Sequence, residues 1–135
     1  MKRLPTDLKI LDAIYERYYD VFSNYETDPS SRNSKTFVPI DIAAIAKGLR
    51  VDPDIIFGRL YYHFESKYGY EQPNGARVYF FAQNLGSEHH CVHFPYVGSV
   101  LASLREEDRK FHVSTLIAGA AVLISFIALG ITVNT

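Results

Sequence analysis

The run Val113 to Val133, VSTLIAGAAVLISFIALGITV, contains no charged residue, no Asn or Gln and no Pro. As a helix it would extend about 31 Å at a rise near 1.5 Å per residue, close to the roughly 30 Å hydrocarbon core of a bilayer. Its polar members are Ser and Thr, whose hydroxyls can bond back to their own helix. All 14 Lys and Arg and all 15 Asp and Glu of the 135-residue chain lie outside it, between Lys2 and Lys110. The residues that remain have too little surface to wrap a helix that is apolar on every side, so lipid is the expected cover. Only Asn134 and Thr135 follow, which predicts a tail anchor. Arg105, Arg109 and Lys110 precede the span and no Lys or Arg follows it. That bias places the N-terminal region on the cytoplasmic face of a single-pass membrane protein. The single Cys and the charged Asp7 and Lys9 near the start agree with a reducing compartment and no signal peptide.

The preceding residues divide by their spacing. Leu8, Leu11, Ile14, Tyr15, Tyr18 and Val21/Phe22 recur at intervals of three and four, predicting a helix from Leu4 to about Tyr25. Thr27 to Lys35 is rich in Ser, Asn, Asp and Pro and reads as a loop. Thr36 to Ile40 is a short β-like run, ending at Asp41, an N-cap for a helix through about Leu49. Asp52-Pro53 supplies a second cap followed by proline at the first helical position, opening a helix to about Tyr68. Gly69 and Pro73-Asn74-Gly75 break it. Arg77 to Gln83 and Glu88 to Phe94 then read as a hairpin joined by Asn84 to Ser87. Residues 1–95 thus form an α+β domain ordered helix, strand, helix, helix, hairpin. A juxtamembrane helix follows over 96–112, with Val97, Val100, Leu101 and Leu104 at helical spacing, and then the transmembrane helix over 113–133.

Within that domain, Ile45 to Leu60 carries apolar or small residues at Ile45, Ala46, Leu49, Val51, Ile56 and Leu60. A small Ala46 suits a crossing of two helices, Leu49 and Val51 plug the turn, and Ile56 and Leu60 close back across four residues. This segment resembles a helix-turn-helix, and the element order resembles a winged helix with the hairpin as its wing. Arg50 stands in the turn where many such motifs carry Gly, a costly substitution if the backbone there is left-handed.

The resemblance implies a contact face on the second helix of the motif, with Lys47, Arg50, Asp54, Phe57, Arg59, Tyr61 and Tyr62 as the candidate partner or DNA contacts. DNA readers usually carry Arg, Lys, Ser, Thr, Asn or Gln there. Here only Arg59 is a natural base reader, Asp54 would repel phosphate at the helix start, and the wing loop has no cation. A net charge of -1 adds no general drive toward nucleic acid. Tyr and Phe beside one Arg resemble a protein-contact surface more closely, so a protein partner ranks above DNA. The spacing of Phe57, Leu60 and Phe64 predicts that some of these aromatics belong to the core.

In Glu88 to Phe94, strand alternation places Val92 and Phe94 on the core face and His89, Cys91 and His93 on the other. Those three are weak metal candidates, since no second Cys or metal-spaced pair supplies a further ligand. No cofactor is expected. A lone Cys spaced along a strand from its histidines is no nucleophile and base pair, and no phosphate loop or paired-carboxylate signature occurs, so an enzyme is not expected. In the apolar run, Ser114, Ala118, Ala121, Ser125, Ala128 and Thr132 form one stripe of small residues. Such a stripe permits close helix packing in lipid, with itself or another membrane protein. The expected function is a membrane-tethered interaction or adaptor protein. A membrane-bound transcription regulator and an accessory subunit of a membrane complex are the alternatives.

Overall fold

The structure, a computed structural model, describes the backbone of residues 3–134 and the side chains of residues 3–131. It divides into two compact units, Met1–Leu101 and Ala102–Thr135. The first is an α+β unit and the second is part of one long apolar helix.

Local chemistry accounts for most helix starts. The Thr6 hydroxyl accepts the Lys9 N–H at 3.2 Å and opens α1 (Asp7–Ser23), which buries Ile10, Leu11 and Ile14. After two short 3-10 turns comes β1 (Phe37–Pro39). Asp41 then accepts the Ala44 N–H at 3.1 Å and starts α2 (Ile42–Leu49). Asp52 accepts the Asp54 N–H at 2.8 Å, with Pro53 at the first helical position of α3 (Pro53–Gly58). A π-helical segment, Arg59–Phe64, and α4 (Glu65–Tyr68) continue α3, so residues 53–68 run as one helix.

Two strand pairings follow where the spacing predicts one hairpin. The run from Arg77 is divided. β2 (Tyr70–Glu71) pairs with β3 (Arg77–Val78), and β4 (Phe81–Leu85) pairs with β5 (Glu88–His93). The Glu65 carboxylate causes the break, because one of its oxygens accepts both the Phe80 and Phe81 N–H groups at 2.8 Å. Its other oxygen takes the Arg77 guanidinium at 3.0 Å. A Cβ on the neighbouring Gly69 would come within 2.6 Å of the Glu65 carbonyl oxygen, so this corner leaves no room for a side chain. The turn of the main hairpin shortens to Gly86-Ser87, with Gly86 at φ +62°, as a two-residue turn requires.

The three-stranded sheet has the order β1-β5-β4, all antiparallel. Pro39 lies in edge strand β1, where a missing N–H is tolerated. The core joins Ile10, Leu11 and Ile14 of α1 to Ile56, Leu60 and Phe64 of the second helix and to Val92 of β5. The first turns of α5 (Phe94–Asn134) also belong to it, through Phe94, Val97 and Leu101. Phe94 stacks between Tyr15 and Phe22, with ring centroids 5.3 and 4.8 Å away.

The loop after α1 carries a buried charge. Arg32 is 9% exposed and donates to four backbone carbonyls: Val21 and Phe22 in the last turn of α1, and Ser34 and Lys35 at the end of the loop. Its guanidinium also lies 4.8 Å from the Tyr25 ring. The negative end of the helix dipole and four acceptors replace the water lost on burial. Arg32→Met should leave several carbonyls unpartnered and lower stability by about 2–4 kcal/mol. Urea unfolding of the intact chain in neutral micelles, followed by tyrosine fluorescence, measures this. A loss well under 1 kcal/mol would show that the arginine does not close the loop.

Candidate functional site

The helix of residues 53–68 carries both a charged cluster and exposed aromatic side chains. Toward α1, three basic side chains four residues apart converge on Asp7. Arg59 pairs with one carboxylate oxygen and donates to the Pro5 carbonyl at 2.7 Å. His63 Nε2 lies 3.0 Å from the other oxygen, and Lys67 Nζ lies 3.9 Å from it. Burial is the largest single influence on Asp7 and pushes its pKa up. The hydrogen bonds from His63 and Arg59, and their charges, together outweigh it and hold the carboxyl below its ordinary value. Arg59, the one natural base reader expected on the contact face, is therefore committed to an internal pair.

The same helix also exposes aromatic and apolar side chains. Tyr62 is 73% exposed, Tyr61 44% and Ile55 40%. Phe57 is half-buried, stacked on Tyr61 at 5.7 Å and edge-on to His90 and Phe81. Tyr61 meets Tyr62 edge-on at 4.9 Å. The core aromatics anticipated from spacing divide here: Phe64 is fully buried, whereas Phe57 reaches the surface. Asp54 is exposed at the helix start beside Asp52.

Lys47 and Arg50 stand exposed at the end of α2. Arg50 adopts φ 59° and ψ 42°, the left-handed conformation. Its N–H bonds to the Lys47 carbonyl and the Val51 N–H to the Ala46 carbonyl, the pairing of a Schellman helix end. An L-residue there costs about 1–2 kcal/mol.

On β5 the three metal candidates do not converge. His89 Nδ1 meets the Asn84 side-chain oxygen. His93 Nδ1 accepts the Tyr96 N–H at 3.1 Å, and burial lowers the His93 pKa against a backbone hydrogen bond that raises it. Cys91, which alternation places on the face away from the core, is fully buried. Cys91 pairs with Pro39 on one edge and Ala82 on the other, and the adjacent Val92 is fully buried as well. His90 at φ 54° also breaks the regular alternation. Burial, with Glu88 nearby, raises the thiol to about 11, so it stays protonated and unreactive at neutral pH. No group of three metal-ligating side chains occurs among the described residues.

In the second unit, Ser114, Ala118, Ala121, Ser125 and Ala128 are all exposed; the side chain of Thr132 lies outside the described residues. Ser125 donates to the Ala121 carbonyl at 3.0 Å and Thr115 to that of Phe111 at 2.9 Å, so these hydroxyls are satisfied within the helix. Leu116, Leu123, Phe126 and Ile127 are each more than 60% exposed. This helix is long and apolar enough to cross a membrane, with a mean hydropathy of 2.2 over its most apolar window and none of that window buried. Before that segment, Glu106 pairs with Arg109 at 2.8 Å and Asp108 with His112 at 3.5 Å.

No protein-family model matches the chain, and no curated protein or solved structure matches it either.

Two outcomes follow from this geometry. Arg50→Gly should stabilise the chain by about 0.5–1 kcal/mol, because relief of the left-handed strain exceeds the added freedom of glycine in the unfolded chain. A stability loss would mean that the arginine side chain contributes more than its backbone costs. Asp7 has a folded pKa below its ordinary 3.8. Its contribution is therefore complete above that value and disappears as pH falls through the lower folded pKa. Asp7→Asn should reduce stability at pH 7 and flatten its decline below about pH 4. An acid limb identical to that of the parent chain would contradict this.

Proposed function

We propose that this chain is a membrane-tethered winged-helix protein that holds a protein partner at the cytoplasmic face through the aromatic side of its 53–68 helix. Four observations support the winged-helix assignment: the element order, β1 pairing with β5, the β4–β5 hairpin, and the tight left-handed turn at Arg50 between α2 and α3. The large exposed apolar side chains of the C-terminal helix support a membrane as its cover. The lysine and arginine bias before that segment supports a cytoplasmic domain.

One observation carries the functional reading. The helix that would enter a DNA groove has its arginine bound to Asp7 and turns Ile55, Tyr61 and Tyr62 outward. Rigid aromatics that bury large area with few rotors to immobilise are characteristic anchors of protein interfaces. Asp52 and Asp54 at the start of that helix oppose a phosphate backbone. The exposed stripe of Ser114, Ala118, Ala121, Ser125 and Ala128 supports lateral association in lipid. Catalysis and a resident cofactor have no part in this proposal.

A photo-cross-linking residue placed at Tyr62 or at Lys47 of the intact chain in native membranes tests the contact face. The expected result is one discrete protein adduct from position 62, lost when Ile55 is changed to Asp, and none from position 47. Equal adducts from both positions, or an adduct indifferent to Ile55→Asp, would remove the aromatic face as the contact.

A further inference from the structure

Beside the start of α1 and the end of α2 lies an open hollow of about 490 Å³. Arg3, Lys9 and Arg50 line it, together with Thr6 and Gly48, and no acidic residue does. Among the described residues none of the three cations has an ion pair, whereas Arg59, Lys67, Arg77 and Arg109 each do. The neighbouring hollow is different, since it carries both Glu16 and Arg17. Thr6 accepts the Lys9 N–H through its hydroxyl oxygen, which leaves the O–H free to donate into the hollow. Arg50 lines this hollow from a left-handed backbone position that favours glycine, so a cation is kept there against its conformational cost.

We propose that this hollow binds the phosphomonoester headgroup of an anionic lipid. Arg3, Lys9 and Arg50 supply the positive charge, and the Thr6 hydroxyl supplies a neutral donor. Three cations around one concavity suit a single compact dianion, whereas a nucleic acid needs a track of cations along its backbone. The acidic Asp52 and Asp54 just beyond Arg50 oppose such a track. The proposal rests on the membrane reading of the C-terminal helix, which would keep a bilayer surface within reach of the same chain. Headgroup capture is then favoured by effective concentration as well as by charge.

Calorimetric titration of the intact chain in neutral maltoside micelles tests the site, using dihexanoyl phosphatidic acid as the probe. Saturable one-to-one binding is expected, with none for dihexanoyl phosphatidylcholine. Each Lys or Arg near an anionic headgroup contributes roughly fivefold, so Lys9→Gln with Arg50→Gln should weaken binding about 10- to 30-fold. Arg3→Gln alone should weaken it about fivefold, and Lys110→Gln should leave it unchanged. Circular dichroism verifies that the variants remain folded. Absence of saturable binding, or an affinity indifferent to these substitutions, would overturn the proposal. Equal affinity for inorganic phosphate would overturn the lipid assignment in favour of a free-anion site. Stronger competition by a short DNA duplex through the same side chains would overturn it in favour of nucleic acid. The micelle titration does not depend on bilayer insertion, which carbonate extraction of native membranes reads separately, so failure of the site and failure of the membrane reading remain distinct.

Discussion

A single carboxylate on the first turn of α1 decides how the 53–68 helix faces the world. Asp7 draws Arg59, His63 and Lys67 to one side of that helix, at positions 52 to 60 residues away in sequence. Its position in the first turn of α1 is favourable in its own right, because the helix dipole welcomes an anion there. The carboxylate and the three basic groups therefore satisfy one another. With Arg59 committed to that carboxylate, the exposed aromatics Tyr61 and Tyr62 are what the helix offers to solvent or a partner. The π-helical segment Arg59–Phe64 lies in this stretch, and such segments often accompany functional sites.

The opposite end of the chain is governed by desolvation instead of pairing. Across the C-terminal helix, residues such as Leu116, Ile124 and Phe126 remain more than 60% exposed. In water each would forfeit about 1.5–3 kcal/mol of the stabilisation available on burial. On the membrane reading proposed above, lipid would supply that burial without a protein partner. Within lipid the hydrophobic effect no longer brings helices together, and close packing along small residues takes over. The pairs Glu106–Arg109 and Asp108–His112 mark where charged chemistry ends along the chain.

Features set by neighbouring residues were legible in the sequence. The caps at Asp41 and Asp52, the proline at position 53 and the apolar periodicity each involve partners within a few positions. The left-handed cost at Arg50 was visible for the same reason. Long-range polar contacts were not. Nothing in the Ser- and Asn-rich loop shows that Arg32 would be buried on the carbonyls of α1, because its partners Val21 and Phe22 lie 11 and 10 residues earlier in an ordinary helix. The division of the strand at Phe80 depends on Glu65, 15 residues back. The burial of Cys91 was left open by alternation, because His90 at φ 54° interrupts the regular strand and the adjacent Cys91 and Val92 are both buried. Of the candidate contacts, Tyr61 and Tyr62 could be placed outward by spacing. Arg59 could not be placed, although Arg59, His63 and Lys67 recur every four residues, a spacing that marks one cationic side.

The central question for this protein is whether the 53–68 helix reads protein or DNA. The most direct measurement is the affinity of the intact chain, in neutral micelles, for duplex DNA across a range of salt concentrations, with Arg59→Gln beside the parent. A helix whose arginine is bound to Asp7 predicts no sub-micromolar binding at physiological salt and no effect of Arg59→Gln on whatever weak binding low salt allows. Its effect should fall on stability instead. Sub-micromolar binding that falls steeply with salt and is weakened by Arg59→Gln in a fully stable protein would contradict the account, and would make this helix a reader of nucleic acid.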